Sequence, residues 1–302
     1  MDILVSSNRR YLHQTGTMLR SVLSSTQEPL DVWFLHGGLA GEDRKRLVSR
    51  LPGARVHFIL VDASLFGAET APLHIRHITQ ETYYRLLAPF LLPDRLQRIL
   101  WLDSDLVVRG DLKEFYGQDL EGRSLIACRN MGESAVQSNA VRLGLPAGTL
   151  YFNAGVLLMN LAYMRTHGSQ EQILSFCRKH QALLKLQDQD VLNLLYHDSA
   201  LVRTDQVWNC MVHYTESFVS RDIAERAVIL HYAGKWKPWQ WRWQDRYARS
   251  YWKIRREEGL RGAEYATLFF GRIWEALHGN DILTVVESPY FWLRARLVKS
   301  RW

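Results

Sequence analysis

Two carboxylates one residue apart, Asp103 and Asp105, follow an apolar run at 98–102 and precede Leu106, Val107 and Val108. The first run reads as a buried strand. An ionised carboxylate at the end of a core strand needs a partner, because desolvating it costs several kcal/mol. A divalent cation with oxygen ligands is one such partner; a role in capping a loop or helix start is the plainer alternative. Other polar groups at the edges of apolar runs are His231, Lys237, Asn153, Asp188 and Gln189. Two carboxylates and an imidazole suit Mn²⁺, which accepts nitrogen as well as oxygen, with Mg²⁺ as the second choice. After the run that ends at His231, Gly234 lets the backbone approach a phosphate and Lys237 brings an ammonium. Metal and lysine around a diphosphate stabilise a leaving group. Hydroxyl-binding side chains beside them point to a sugar, so the set describes sugar-nucleotide chemistry.

The elements that position these groups alternate. A strand at 2–6, a helix at 12–26, a strand at 31–36, a helix at 41–51 and a strand at 55–61 predict a parallel sheet with crossover helices. Ligands in such folds sit at the carboxyl ends of strands. One pocket is therefore expected to hold both 6–10 and 103–105. An aromatic helix opens near Thr82, with Pro89 and Pro93 framing its end. Strands are expected at 125–128 and 151–160 and a helix at 170–180. Gln187, Asp188, Gln189 and Asp190 open a further helix, and their number exceeds what a helix start needs. The stretch 135–150 is polar and weakly patterned, and reads as a mobile loop over the site. A last strand near 228–231 runs into the lysine turn. No internal repeat is visible.

At 302 residues with 47% hydrophobic and 23% charged, the composition is globular. There is no long uncharged apolar run. The first residues lack a basic leader and a cleavage site, and the three cysteines are odd in number without Cys-x-x-Cys spacing. The expectation is a cytoplasmic protein with no thiolate metal site. All of the +7 net charge falls in 234–302, which also holds 8 of the 11 tryptophans. That end predicts peripheral contact with an anionic membrane surface, through Arg294, Arg296, Lys299 and Arg301, or else a basic appendage whose aromatics pack.

Six blocks occur in order: Ile75 to Ile78, Thr82 to Leu86, Leu102 to Asp105, Phe152 to Leu158, Gln187 to Asp190 and His231 to Trp239. Together they resemble glycosyltransferase family 8, the retaining enzymes of GT-A fold, over residues 1–239. The resemblance implies an α/β, Rossmann-like GT-A domain at 1–240, with a mixed, mainly parallel sheet flanked by helices. A small basic, Trp-rich helical appendage would fill 241–302. It implies transfer of a hexose, galactose or glucose, from a UDP-sugar to a saccharide acceptor, which can be lipid-linked, in lipopolysaccharide or other surface-glycan synthesis. Asp103, Asp105 and His231 would hold Mn²⁺. Ser6, Asn8, Tyr11, Arg85, Ser104, Asn153, Ala154, Asp188, Gly234 and Lys237 would bind the donor. His77 and Trp236 would lie on the acceptor side. Gln189 and Asp188 would be catalytic, Gln189 steadying an oxocarbenium-like centre during same-face transfer. An amide is a poor nucleophile, and a carboxylate route through Asp188 or Asp190 stays open. The chain departs from the family pattern at Asn8, Arg10 and Trp236: the first two replace residues that face the nucleoside, and the third is bulky.

Three other functions compete with transfer. A sugar-nucleotide-binding module would not need Asp103, Asp105, His231 and Lys237 all together. A UDP-sugar hydrolase would use the same site with water as acceptor. A nucleic-acid binder would interleave basic residues through its body, but residues 1–233 are charge-neutral.

Overall fold

Ile3, Leu4 and Val5 are all fully buried, although neighbours in a strand point to opposite faces. A strand of that kind must be covered on both sides. The computed structural model describes residues 1–66, 79–130, 132–212, 221–234, 237–239 and 247–258. The chain divides into two compact units, Met1–His231 and Tyr232–Trp302.

The first unit runs β1 (Asp2–Ser6), α1 (Leu12–Ser25), β2 (Leu30–His36), α2 (Gly41–Ser49), β3 (Ala54–Leu60) and α3 (Tyr84–Leu91). It continues β4 (Arg98–Leu102), β5 (Leu106–Val108), α4 (Lys113–Tyr116), β6 (Leu125–Arg129), α5 (Glu133–Arg142) and β7 (Phe152–Asn160). Then come α6 (Leu161–Thr166), α7 (Gln170–His180), α8 (Asp188–Tyr196), β8 (Leu201–Arg203), β9 (Cys210–Met211), α9 (Arg221–Arg226) and β10 (Ile229–His231). Seven strands form one sheet in the order β3-β2-β1-β4-β7-β6-β8. Four of its six pairings are parallel, and β7 runs antiparallel to both neighbours. This is the mixed, mainly parallel sheet expected.

The strands' alternation sorts the core into two layers. Leu4, Trp33, Leu35, Ile99 and Trp101 pack with α3, α6, α7 and α8 on one face. Ile3, Val5, Val32, Phe34, Leu100 and Leu102 pack with α1 and α2 on the other. Each fully buried aliphatic side chain contributes about 1.5–3 kcal/mol. β1 and β4 are parallel neighbours, so their carboxyl ends meet, as expected. There the Ser104 hydroxyl lies 2.8 Å from that of Thr15 and 3.5 Å from the Ser6 carbonyl.

A second sheet, β5-β10-β9, sets β10 antiparallel to β5 and puts His231 opposite Leu106, next in sequence to Asp105. A register break between β6 and β7 lies nearby. Ala127 pairs with Leu157, yet Cys128 pairs with Asn153. Ala154, Gly155 and Val156 thus leave the β6 ladder, and the Gly155 carbonyl accepts from Asp103 N–H at 2.9 Å.

The structure corrects two expectations. The stretch 135–150 is not a loop throughout: α5 occupies Glu133–Arg142, Val136 and Leu143 pack on Tyr151, and only 143–150 is irregular. The apolar stripe of α5 is too narrow to stand out in sequence. Pro89 does not end its helix but lies inside α3. Pro93 sets the end, holding Leu92 extended at φ −88° and ψ 149°. The carbonyls exposed there converge on Arg165 of α6. Its guanidinium donates to Pro89 at 2.6 Å, Leu96 at 2.7 Å, and Leu92 and Pro93 at 3.1 Å.

In the second unit, α10 (Ala248–Glu257) follows the turn, and the Trp252 indole donates to the Pro238 carbonyl at 3.0 Å. Trp239 packs against Tyr251 at 5.3 Å between ring centres, so the packing reading holds for that residue. Trp241, Trp243 and everything from 259 onward lie outside the described residues.

Arg165→Leu should lower stability by about 3 kcal/mol, because hydrogen bonds from a charged group contribute about 1.5–3 kcal/mol each and several carbonyls lose their donor together. Urea denaturation measures the loss. Arg165→Lys should recover only part of it, since an ammonium cannot spread its donors like the planar fork.

Candidate metal and donor site

The sheets bring Asp103 and Asp105 from the β4–β5 turn to His231 at the end of β10. One potential ligand atom from each lies within 4.8 Å of the others. His231 Nε2 is 3.4 Å from Asp105 Oδ1. Adjacent ligands of an octahedral cation at about 2.1 Å stand about 3 Å apart, so the spacing and the O, O, N donor set fit such an ion. His231 is buried and Asp105 nearly so.

Asp103 is steered from below. Its Oδ1 accepts from Arg85 Nη2 and from the Trp101 indole, both at 2.9 Å. Arg85 is only 2% exposed, on α3. Its guanidinium lies over the Trp101 ring at 4.2 Å, and its Nη1 donates to the Ala154 carbonyl in the register break. Arg85 Nε gives its proton to the Thr82 carbonyl at 3.0 Å. Asp188 Oδ2 is 2.9 Å from that same Nε, but the proton is aimed elsewhere; the contact is an ion pair, and Asp188 Oδ2 is a buried acceptor without a hydrogen bond. Burial raises the Asp188 carboxyl to about 6; Arg85 opposes the rise, Asp103 adds to it, and a Thr82 hydrogen bond opposes it.

Asp188 and Gln189 open α8 after Gln187, whose φ of 57° is costly for a side chain of that size. The Gln189 carbonyl accepts from Ala154 N–H and from Asn153 Nδ2, each at 3.0 Å. Gln189 Nε2 donates to the Tyr151 hydroxyl at 3.1 Å, and that hydroxyl donates to Asp190 at 2.6 Å. Asp190 is fully buried, with Arg142 at 2.7 Å and Leu186 N–H at 2.7 Å. Its oxygens are thus spent inside the protein, which removes Asp190 from the nucleophile route. From Asn153 the chain of bonds continues the other way. Asn153 Oδ1 accepts from Gly155 N–H at 2.9 Å and Asn209 Nδ2 at 2.8 Å, and Asn209 Oδ1 is 2.8 Å from His231 Nδ1.

The β1 end carries three more expected residues. Ser6 donates to the Glu81 carbonyl at 2.6 Å. Asn8 gives Nδ2 to Glu81 Oε2 at 3.2 Å, while its Oδ1 accepts from Arg10 and Tyr11 N–H. Its amide is therefore engaged in ordering the entry to α1. Tyr11 is close enough to Asp105 for that charge, after burial, to raise its hydroxyl. Gly234 and Lys237 belong to the second unit. Gly234 has φ 90°, and the Lys237 ammonium donates to the Tyr232 carbonyl at 2.7 Å. His77 and Trp236 lie outside the described residues.

Trp101, Gly155 and Asn209 went unassigned in the sequence. Trp101 had a signal: it stands two residues before Asp103, on the same side of a strand. Gly155 sits in a recognised block, and its role appears only in space. A Cβ there would collide with His231 Cε1 and come within 2.9 Å of its Nδ1 and 3.0 Å of Asn153 Oδ1.

The family description "Glycosyl transferase family 8" matches residues 2–242. General stress protein A of Bacillus subtilis is 25% identical over 258 residues, covering 79% of this chain and 87% of that protein. The lipopolysaccharide 1,2-glucosyltransferase of Escherichia coli K12 is 30% identical over 183 residues, 57% of this chain and 52% of that one. The chain spans 57% of glycosyltransferase GlyF of Streptococcus pneumoniae, at 28% identity over 79% of its own length. A crystal structure of the galactosyltransferase LgtC with donor and acceptor sugar analogues superposes with a TM-score of 0.78 at 25% identity, over 89% of this chain and all of that one.

Gly155→Ala should cost about 2 kcal/mol of stability, as overpacking does, since neither the ring nor the amide can retreat without losing its bond; denaturant titration reads it. Asp188→Asn should do the reverse in metal-free protein. The folded-state carboxyl near 6 lies above its ordinary 3.8, so the stability it lends is complete below the lower value and lost as pH rises through the upper. The variant should flatten stability between pH 4 and 6 and gain about 2–3 kcal/mol at pH 8, measured by denaturation at the three pH values.

Proposed function

Because the chain belongs to glycosyltransferase family 8 and is a glycosyltransferase, we propose that it moves a hexose, galactose or glucose, from a UDP-sugar to a saccharide acceptor with retention at the anomeric carbon. The observation that carries the reading is the Asp103, Asp105, His231 cluster. A cation bound there, Mn²⁺ or Mg²⁺, supplies positive charge against the diphosphate leaving group. The chain's own residues do the rest. Arg85 and Trp101 hold Asp103 Oδ1 and leave Oδ2 to turn toward the ligand. Asp188 is proposed to bind the donor sugar; its Oδ2 is buried against Arg85, so a sugar hydroxyl reaches that oxygen only when the side chain turns. Asn153 and Ala154, locked to Gln189, shape the wall beside it.

Lys237 and Gly234 are proposed for the diphosphate, Ser6, Asn8, Tyr11 and Ser104 for the nucleoside end, and His77 and Trp236 for the acceptor. The family resemblance assigns Gln189 to steady an oxocarbenium-like centre. Its Oε1 already accepts two hydrogen bonds, so that role requires one of them to be released. The catalytic domain is proposed at 1–240 and the basic appendage at 241–302. Relatives that include lipopolysaccharide glucosyltransferases favour a surface-glycan acceptor, lipid-linked and met at the inner membrane face. Among the described residues no helix is long and apolar enough to cross a membrane.

The test is a panel of UDP-hexoses with Mn²⁺ and oligosaccharide acceptors, read by product mass and by NMR of the new linkage. One UDP-hexose should give an α-linked product. Asp103→Asn and Asp105→Asn should each lower the rate about 10²-fold or more, as loss of a preorganised electrostatic group does, and chelator should match them. A β-linked product overturns retention. Undiminished transfer by either variant in chelator overturns the metal reading, and UDP release without acceptor transfer makes the protein a hydrolase.

A further inference from the structure

We infer that Asn209 is a positioning residue that locks His231 in the tautomer with its proton on Nδ1, leaving the Nε2 lone pair for a divalent cation. This rests on the metal reading above. Two backbone groups fix the direction of every bond in the chain, because an N–H can only donate. Gly155 N–H points at one oxygen of the Asn153 amide, 2.9 Å away, which identifies that atom as Oδ1. The group of Asn209 that lies 2.8 Å from the same oxygen must then be its NH₂. Asn209 therefore turns its carbonyl to His231 Nδ1, 2.8 Å away, and only an Nδ1–H can satisfy it. The Ala154 N–H independently fixes the far end: it points at Gln189 Oε1, so Asn153 must present Nδ2 to the same atom. The two assignments agree at Asn153.

With Nδ1 committed, Nε2 faces Asp105 Oδ1 at 3.4 Å. A lone pair set toward a carboxylate is repulsive until a cation lies between them. The partner of a ligating histidine raises its basicity and fixes its ring, and removing such a partner typically weakens metal binding 10–100-fold. Asn209 is fully buried, so no water reaches the bond to compete for it. The same amide also holds Asn153 and, through it, the Gln189 carbonyl. Asn209 thus joins the cation site to the site of the sugar, between His231 and Gln189.

Two measurements test this. In unmodified metal-free protein, at a pH where imidazole is neutral, long-range ¹H–¹⁵N correlation should show His231 protonated at Nδ1 and bare at Nε2. The Nε2–H tautomer overturns the inference, whatever any variant does. Next, Mn²⁺ affinity is measured by EPR titration for wild type, Asn209→Leu, Asn209→Asp and Asp105→Ala, each checked for native circular dichroism. Asn209→Leu should weaken binding 10–100-fold. Asn209→Asp still accepts from Nδ1–H but loses the donor to Asn153 Oδ1, so it should recover only part of the affinity that Asn209→Leu loses; Asn209→Asp no tighter than Asn209→Leu overturns the role of the Nδ1–H acceptor. Asn209→Leu binding as tightly as wild type, with Asp105→Ala weakened, overturns the role of Asn209 alone. Asp105→Ala binding as tightly as wild type overturns the metal reading and this inference with it.

Discussion

A guanidinium that is 2% exposed cannot keep its charge on solvation by water, so everything around Arg85 is arranged to replace it. Asp103 and Asp188 supply opposite charge, the carbonyls of Thr82 and Ala154 take protons, and the Trp101 ring offers its negative face. Removing the guanidinium would leave Asp188 buried and uncompensated, at a cost of about 3–5 kcal/mol. The same cation therefore joins α3, the end of β4, the irregular part of β7 and the start of α8. One carboxylate it holds belongs to the proposed cation site and the other to the proposed sugar site, so both inherit their positions from one side chain.

Two local irregularities make room for that arrangement. The break in the β6–β7 ladder frees the Ala154 carbonyl for Arg85 and the Ala154 N–H for Gln189. Gly155, at its centre, permits the His231 ring to lie against the backbone, a place where any side chain would collide. The backbone of Gln187, at φ 57°, turns the chain so that Asp188 and Gln189 enter α8 facing inward. Strain of this sort costs about 1–3 kcal/mol, and it persists where the surroundings over-determine the conformation. Here they do: the Gln187 carbonyl receives Asp190 and Val191 N–H, and Asp190 is anchored by Arg142 and Tyr151.

Much of the scaffold was legible in the sequence, because burial patterns are local. The triplets Ile3-Leu4-Val5 and Val32-Trp33-Phe34 announce strands covered on both faces, and the spacing between them leaves room for one helix. Asp103 and Asp105 stand out since carboxylates rarely follow an apolar run without a partner. α5 was missed because Val136, Ala140 and Leu143 make a stripe too thin to separate from a polar loop. The end of α3 was blurred because two prolines both looked like terminators, and only Pro93 acts as one.

What the sequence determined by itself was therefore the set of chemical groups, the order of strands and helices, and the family, all carried by short blocks of neighbouring residues. What only the tertiary structure decided was which groups meet. His231 reaches Asp105 because β10 pairs with β5 across more than a hundred residues. Asn209 matters because it stands between His231 and Asn153, 22 and 56 positions away. Arg85 was expected among the donor-binding residues, and only the fold shows its guanidinium buried over Trp101 beside Asp103 and Asp188. Hydrogen bonds and charge pairs act over about 3 Å, and a folded chain sets that distance without regard to separation in sequence.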